Sequence, residues 1–223
     1  MLIAEDVLLL AVDDATGKVS QWAMNLDSAL SGAVLIELAV AGRIQLDRDG
    51  RTAKVVVVDA APTGDPVLDP SLQSLVDKDP MRPESAIGRV GKGLRERLYA
   101  SLEAKGTLRR ESGKVLGIFS TTRWPAEDSV HEAGIRQQVT NALLLGQDPD
   151  ERVAAIISVL AAADMLRTVV DKNDAKTAKQ RAKAIAEGNW AADGVRSAIQ
   201  EMQLAISAAV MVSTTVAISA GTN

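Results

Sequence analysis

The residues best suited to chemistry in this chain are cations near its middle, which could hold an anion. Between Arg82 and Arg110 there are eight Lys and Arg side chains against three Glu, a net charge of +5, whereas the rest of the chain carries −9. Lys92 and Arg95 share one face if the following helix extends back to Lys92. A phosphate suits this pair, because guanidinium offers a fork of donors and ammonium a compact charge. The alternative is a solvated helix face with ion pairs.

Trp22 is a second candidate, because the chain has only three tryptophans and this one lies in the polar stretch Ser20-Gln21-Trp22, just before a helix. Its ring could pack on a sugar or lie among lipid head groups at a membrane surface. The alternative is a half-buried core residue.

Residues for catalysis or metal binding are scarce. Cysteine is absent and His131 is the single histidine, which excludes disulfides, thiolate sites and any scheme with two imidazoles. His131 lies at a polar helix start, where we expect it to cap or to be solvated. The glycines at 88, 91 and 93 lack the preceding strand of a phosphate-binding loop. We therefore expect no enzyme, no catalytic residue, no cofactor and no metal site.

The composition, with 223 residues of which 47% are apolar, predicts one domain spanning 1–223. The first residues are no signal peptide, because Glu5 and Asp6 interrupt the apolar stretch. The run from Met202 to Asn223 is too polar and too rich in alanine for a confident membrane span.

Hydrophobic periodicity predicts a mainly α fold: a single helical domain around buried central helices, with small β-hairpins attached. Two helix-plus-hairpin units are expected within 26–125, on the similarity of Leu38–Ile44 to Leu102–Leu108, and a helical body over 126–220. Pro80 and Pro83 are expected to interrupt helix. One predicted helix ends at Leu10. The others cover Asp27–Ala41, with Asp27 or Ser28 as its cap, Pro70–Val76, Leu94–Leu102, Val130–Leu145, Pro149–Val170, Asp174–Glu187 and Asp193–Ser219. The predicted strands are Arg43–Asp47, Lys54–Asp59, Thr107–Arg109 and Lys114–Ser120, with a turn at Glu111–Gly113 in the second hairpin.

The second hairpin has apolar residues on both faces, so it either packs on the body or faces a membrane or a partner chain. The residues concerned are Val115, Leu116, Ile118 and Phe119.

Three segments together resemble the Golgi phosphoprotein 3 family: Leu35–Leu46, Ala61–Asp65 and Leu94–Leu98. The opening Glu5–Leu10 is similar as well, and the matching blocks run in order from about residue 2 to 125. The resemblance implies a mostly helical peripheral membrane protein that binds phosphatidylinositol 4-phosphate. In eukaryotic members this binding retains the protein at the Golgi, where it sorts glycosyltransferases with coat proteins.

The family's lipid pocket uses a tryptophan, an arginine nine residues later before a glycine, and two arginines three apart in a later helix. Trp22 fits the first, Ser31 replaces the second, Lys92 replaces the third and Arg95 fits the fourth. The resemblance therefore implies a head-group site of weaker affinity or altered identity. The family also uses the hairpin corresponding to Glu111–Thr122 for self-association and membrane contact.

The resembling blocks start near residue 2 and the composition is rich in alanine, so we expect a bacterial member that lacks the basic N-terminal arm of eukaryotic members. We therefore expect a cytoplasmic protein, peripheral on the cytoplasmic face of a membrane, that binds an anionic phospholipid head group and acts as an adaptor. Two alternatives remain: a winged-helix-like nucleic-acid regulator, disfavoured because the segment 27–41 has no Lys or Arg, and a protein-binding scaffold without lipid.

Overall fold

The fold is mainly α, as predicted, in a computed structural model that describes residues 1–47, 54–76, 78, 80–115, 119–187, 200, 202–204 and 206–207. For 113–115 and 119–121 it describes the backbone. The helices are α1 (Ile3–Ala11), α2 (Leu26–Val40), α3 (Leu68–Val76), α4 (Pro83–Val90), α5 (Leu94–Ala104), α6 (Val130–Leu144), α7 (Glu151–Ala162) and α8 (Ala175–Glu187), with a 3-10 helix at Leu166–Thr168. The strands are β1 (Ile44–Asp47), β2 (Lys54–Val57), β3 (Glu111–Val115) and β4 (Phe119–Arg123).

The core lies around three helices, α1, α2 and α7, which pack against one another. Every residue of α1 is buried, and α7 is buried without a break over Val153–Leu160. The sequence predicted α7 as an interior helix, and this is confirmed. The predicted last helix, Asp193–Ser219, lies mostly outside the described residues. Its described part includes Met202 and Ile206, both fully buried.

Two acidic residues, Glu5 and Asp6, lie in the buried helix α1 and are compensated by partners from other helices. Glu5 accepts hydrogen bonds from Ser101 Oγ at 2.7 Å and from Lys105 Nζ at 2.5 Å. Asp6 is held by His131 Nε2 at 2.8 Å and by the Arg152 guanidinium at 2.6 Å. The expectation for His131 was therefore wrong: its partner is a buried carboxylate 125 positions away.

Two hairpins form, each after a helix that ends in the same way, and only the first has the strands that the sequence predicted. Gly42 and Gly106 have φ of +68° and +69° after α2 and α5. The next amide, of Arg43 or Thr107, donates to the carbonyl five positions earlier, at 2.8 and 3.0 Å. This Schellman arrangement satisfies carbonyls at the helix end and turns the chain into the hairpin region. The antiparallel pairs are β1–β2 and β3–β4.

Three element predictions were wrong. Pro83 begins helix α4 rather than interrupting helix, since a proline at the first helical position lacks only an N–H that would be unpaired there. The predicted helix Pro149–Val170 ends at Ala162, where Asp164 adopts φ of +56°. The second hairpin lies later in the chain than predicted: Glu111–Gly113 belongs to strand β3 rather than to a turn, and the predicted strand Lys114–Ser120 contains the end of β3 and the start of β4. Leu108, in the predicted strand Thr107–Arg109, makes an isolated bridge with Ala126.

The tip of the second hairpin holds the apolar residues singled out from the sequence. Val115 pairs with Phe119 at the last described register position of β3 and β4. Leu116 and Ile118 lie outside the described residues. The prediction that this tip contacts a membrane or another copy stays a prediction. Within the part of the chain that the structure covers, we find no helix with the length and apolarity needed to cross a bilayer.

Candidate functional site

The candidate site lies where the turn between α4 and α5 packs against α2. Ser31 of α2 is only 1% exposed, and its hydroxyl donates to the Asp27 carbonyl at 2.7 Å. A Cβ added at Gly91 would lie 2.9 Å from Ser31 Oγ, closer than side chains normally approach. The small residues at 31 and 91 therefore let the turn sit directly on α2.

Lys92 lies in this turn and not on the helix that follows. Gly93 has φ of +63°, and α5 begins at Leu94. The expectation that Lys92 and Arg95 share a helix face was therefore wrong. Lys92 is exposed, and the structure gives its ammonium no ion pair with any residue that it describes. The backbone carbonyl of Lys92 accepts from Arg97 Nη1 at 2.8 Å, which helps to hold the turn.

Arg95 reaches from the first turn of α5 to the first turn of α2. Its Nη2 and Nε lie 2.7 and 2.9 Å from one carboxylate oxygen of Asp27. The side chains are 36% and 69% exposed, respectively, and ion pairs of this kind contribute about 0–1 kcal/mol. The sequence suggested Asp27 as a helix cap, but α2 begins one residue earlier and Asp27 serves as this ion-pair partner. An incoming anion can compete with it for Arg95.

Trp22 lies in the loop before α2 and is 43% exposed, so it is neither sealed in the core nor fully solvated. Arg167 lies over its ring, with the guanidinium carbon 4.1 Å from the ring centroid. The same loop exposes Val19 and, at 90%, Met24. Asn25 ties it to the end of α7 by donating to the Ala163 carbonyl at 2.9 Å.

Trp22 also lines a cavity of about 520 Å³ together with residues of the first turn and of α6. Its lining includes Asp13, Asp14 and Glu132, and neither Lys92 nor Arg95. Burial raises the pKa of Asp14 and of Glu132, although the Arg136 guanidinium acts in the opposite direction. Because carboxylates outnumber cations in this lining, the cavity is less suited to an anion than the surface that carries Lys92 and Arg95.

The structure thus places three of the four predicted head-group residues where α2 contacts the turn before α5 and the start of α5, and the fourth in the loop that precedes α2. Ser31 lies against the turn that carries Gly91 and Lys92, and Arg95 pairs with Asp27 one turn earlier in α2. Trp22 precedes α2 by four positions, and its ring contact is with Arg167. Sequence analysis missed Arg167, because it lies 145 positions from Trp22 and within what was predicted as a continuous apolar helix.

Comparison with known proteins decides the family. A family model described as Golgi phosphoprotein 3 matches residues 3–202. The chain belongs to the Golgi phosphoprotein 3 family. Two similar relatives are both named vacuolar protein sorting-associated protein 74. The one from Eremothecium gossypii is 28% identical over 164 residues, which cover 65% of this chain and 49% of the relative. The one from Schizosaccharomyces pombe is 28% identical over 163 residues, which cover 64% and 48%.

The chain therefore spans about half the length of the curated relatives that it matches. As a member of the Golgi phosphoprotein 3 family, it departs from the expected pocket pattern at Ser31. The structure shows what accompanies that departure: the buried Ser31 side chain is covered by Gly91. A longer side chain at position 31 would have to displace the turn that carries Lys92.

Proposed function

We propose that this protein is a peripheral membrane protein that binds an anionic phospholipid head group of the phosphatidylinositol 4-phosphate type. The observation that carries the proposal is the packing on α2 of the turn with Lys92 and of the start of α5 with Arg95. The exposed Trp22 lies in the loop just before α2. The proposed activity is binding, without bond breaking. The cytoplasmic face of a membrane is the proposed location.

Electrostatics supports an anionic ligand at this turn. The segment 82–110 carries +5 in a chain of net charge −4. Lys92 is exposed, and among the described residues the ion-pair partner of Arg95 is the exposed carboxylate of Asp27. A phosphate with two negative charges can attract both cations more strongly than one solvated carboxylate does.

The loop before α2 supports a membrane surface as the source of that anion. Val19, Trp22 and Met24 expose apolar surface in a stretch of six residues. Tryptophan is favoured at the level of lipid head groups, where its ring is partly apolar and its N–H can reach water. Apolar side chains beside cations are the combination that holds a protein at an anionic bilayer surface.

Ser31 bears on the identity and affinity of the ligand. A charge-assisted hydrogen bond contributes on the order of 1.5–3 kcal/mol, and Ser31 supplies no such donor because its hydroxyl is buried and bonded to the Asp27 carbonyl. We therefore propose weaker binding to phosphatidylinositol 4-phosphate than the full pattern would give, or a preference for another anionic lipid.

The second hairpin completes the proposal. Its tip, with Val115, Leu116, Ile118 and Phe119, is proposed to contact the bilayer or a second copy of the chain. The fungal relatives are named for vacuolar protein sorting, and an adaptor role, in which the membrane-bound protein also holds protein clients, is consistent with that name.

Co-sedimentation with vesicles tests the proposal. Vesicles of phosphatidylcholine with or without about 5 mol% phosphatidylinositol 4-phosphate are compared for the wild type and for Lys92→Ala/Arg95→Ala. We expect roughly tenfold or greater loss of binding in the double variant, since two charge-assisted contacts are removed. The control is Arg82→Ala/Arg109→Ala, which removes the same charge from the same segment. Equal retention of the two double variants on the vesicles would contradict the proposed site. Binding of the wild type to duplex DNA is measured separately, and we expect none, since DNA binding would favour the alternative of a nucleic-acid regulator.

A further inference from the structure

The Arg167–Trp22 pair is the cationic feature of this region that the family pattern does not contain. The guanidinium carbon lies 4.1 Å from the centre of the indole ring, within the range of a strong cation–π contact. The Arg167 side chain is partly exposed and follows the end of α7. The ring therefore orients a guanidinium at the surface, beside the exposed loop that carries Met24.

Arg167 also has unused hydrogen-bonding capacity. Its Nε is buried and has no hydrogen-bond partner. Among the residues described, the structure gives the guanidinium a ring contact and no carboxylate partner. A buried donor without a partner costs free energy, and arginine's fork of N–H groups matches two oxygens of a phosphate. The Nη groups of this partly exposed arginine, rather than its buried Nε, are the donors that an external anion can approach.

The position of Arg167 links it to the proposed head-group site. Asn25, at the start of α2, donates to Ala163, four residues before Arg167. Asp27, two residues further along α2, holds Arg95. The segment just before Arg167 and the side chain of Arg95 therefore both contact the start of α2, and the Trp22 ring under Arg167 belongs to the loop that leads into this helix.

We propose that Arg167, held on the ring of Trp22, is an additional phosphate-binding residue of the head-group site. This inference rests on the proposed function. Arg167 supplies a guanidinium that the pattern would place at position 31, but from a different part of the chain. The ligand chemistry is a phosphomonoester, carried either by a lipid head group in a bilayer or by a free inositol phosphate.

The test measures two ligands for each of four proteins. The ligands are vesicles with about 5 mol% phosphatidylinositol 4-phosphate and soluble inositol 1,4-bisphosphate. The proteins are the wild type, Arg167→Ala, Arg167→Lys and the control Arg82→Ala, which removes an exposed arginine at the start of α4. We expect Arg167→Ala to weaken binding of both ligands roughly tenfold. Arg167→Lys should recover only part of this loss, because lysine keeps the charge but loses the planar fork.

The outcomes separate this inference from the proposed function. If Arg167→Ala matches Arg82→Ala while Lys92→Ala/Arg95→Ala loses binding, Arg167 is no ligand and the proposed function stands. Loss with vesicles but not with the soluble bisphosphate would also overturn the inference, since Arg167 would then act only by holding the apolar loop. Wild-type binding by Arg167→Lys would overturn the inference as stated, since positive charge alone, and not the guanidinium fork, would then account for the effect of Arg167→Ala. If the wild type binds neither ligand, both proposals fail. Circular dichroism of each variant verifies that it is folded.

Discussion

At the scale of single residues, the ion pair between Arg95 and Asp27 determines how readily the proposed site accepts a phosphate. Asp27 is the more exposed partner and holds Arg95 by two contacts to one oxygen. In the free protein this carboxylate occupies the donors that a phosphate would need. Binding therefore exchanges one anion for another, and the affinity is reduced by whatever the pair contributes.

Asp27→Asn should consequently strengthen binding to anionic vesicles. Removal of a competing exposed ion pair is worth up to about 1 kcal/mol, a few-fold in affinity, with little change in the free energy of unfolding. Vesicle co-sedimentation against lipid concentration measures it. The control is Glu103→Gln, which removes one negative charge from an exposed position of α5. A gain no larger than that of the control would show that Asp27 does not compete with the ligand.

Trp22, Lys92 and Arg95 were candidates for the head-group site from the sequence alone, because residue type and spacing single them out. It could not predict their partners. Asp27 is 68 positions from Arg95, and Arg167 is 145 positions from Trp22, so no local spacing connects them. Such contacts depend on how helices pack, which periodicity does not specify.

At the scale of elements, two glycines lie near the site, Gly93 before α5 and Gly88 inside α4. Gly93 precedes α5 with φ of +63°, a backbone conformation that residues with a Cβ rarely adopt. Gly88 lies inside α4, and a Cβ added there meets nothing within 4 Å. The two glycines therefore have opposite roles in stability.

Gly93→Ala should lower the free energy of unfolding by about 1–2 kcal/mol, since the left-handed conformation is strained for alanine. Gly88→Ala should raise it by up to about 1 kcal/mol, because alanine has the higher helix propensity. Urea denaturation followed by circular dichroism measures both. Gly93→Ala should also weaken vesicle binding, since Lys92 would be displaced, whereas Gly88→Ala should leave it unchanged. Equal destabilisation by the two variants would contradict this account of the turn.

Sequence patterns predicted most elements correctly and failed where one residue decides a boundary. The first hairpin was found because apolar and β-branched runs stand between turn residues, whereas the strands of the second were placed too early in the chain, because Glu111–Gly113 resembles a turn but lies in β3. Helix α4 was missed because Pro83 was interpreted as a helix breaker, although proline is well suited to a first helical position. The end of α7 was missed because Asp164 adopts a left-handed φ in an otherwise continuous apolar pattern.

At the scale of the whole molecule, buried charges tie the first helix to the rest of the fold. In the buried helix α1, Glu5 accepts a hydrogen bond from α5. Asp6, the next residue, is bonded to side chains of α6 and α7. The sequence indicated only that these acids rule out a signal peptide. Their partners lie 96 to 146 positions away, so their structural role follows from the tertiary fold alone.

Lys105→Met tests how much one of these pairs contributes. Burial of the Glu5 carboxyl favours its protonated form, but hydrogen bonds from Lys105, the Leu2 amide and Ser101 outweigh burial and lower the pKa of Glu5. A carboxyl with a lowered pKa stabilises the fold above its unfolded pKa, and this contribution is lost as the pH falls through its folded pKa. Without Lys105 the pKa of Glu5 should rise. Because Lys105 is partly exposed, we expect a loss of about 2 kcal/mol at pH 7.

The pH dependence distinguishes this loss from a general packing defect. Glu5 is protonated in both proteins at low pH, so the difference in unfolding free energy between the wild type and Lys105→Met should shrink as the pH falls below about 4. Lys92→Met is the control, since its ammonium has no ion pair among the described residues, and it should change stability little at any pH. A loss in Lys105→Met that is the same at pH 7 and at low pH would mean that packing of the lysine stem, rather than the buried carboxylate, links α5 to α1.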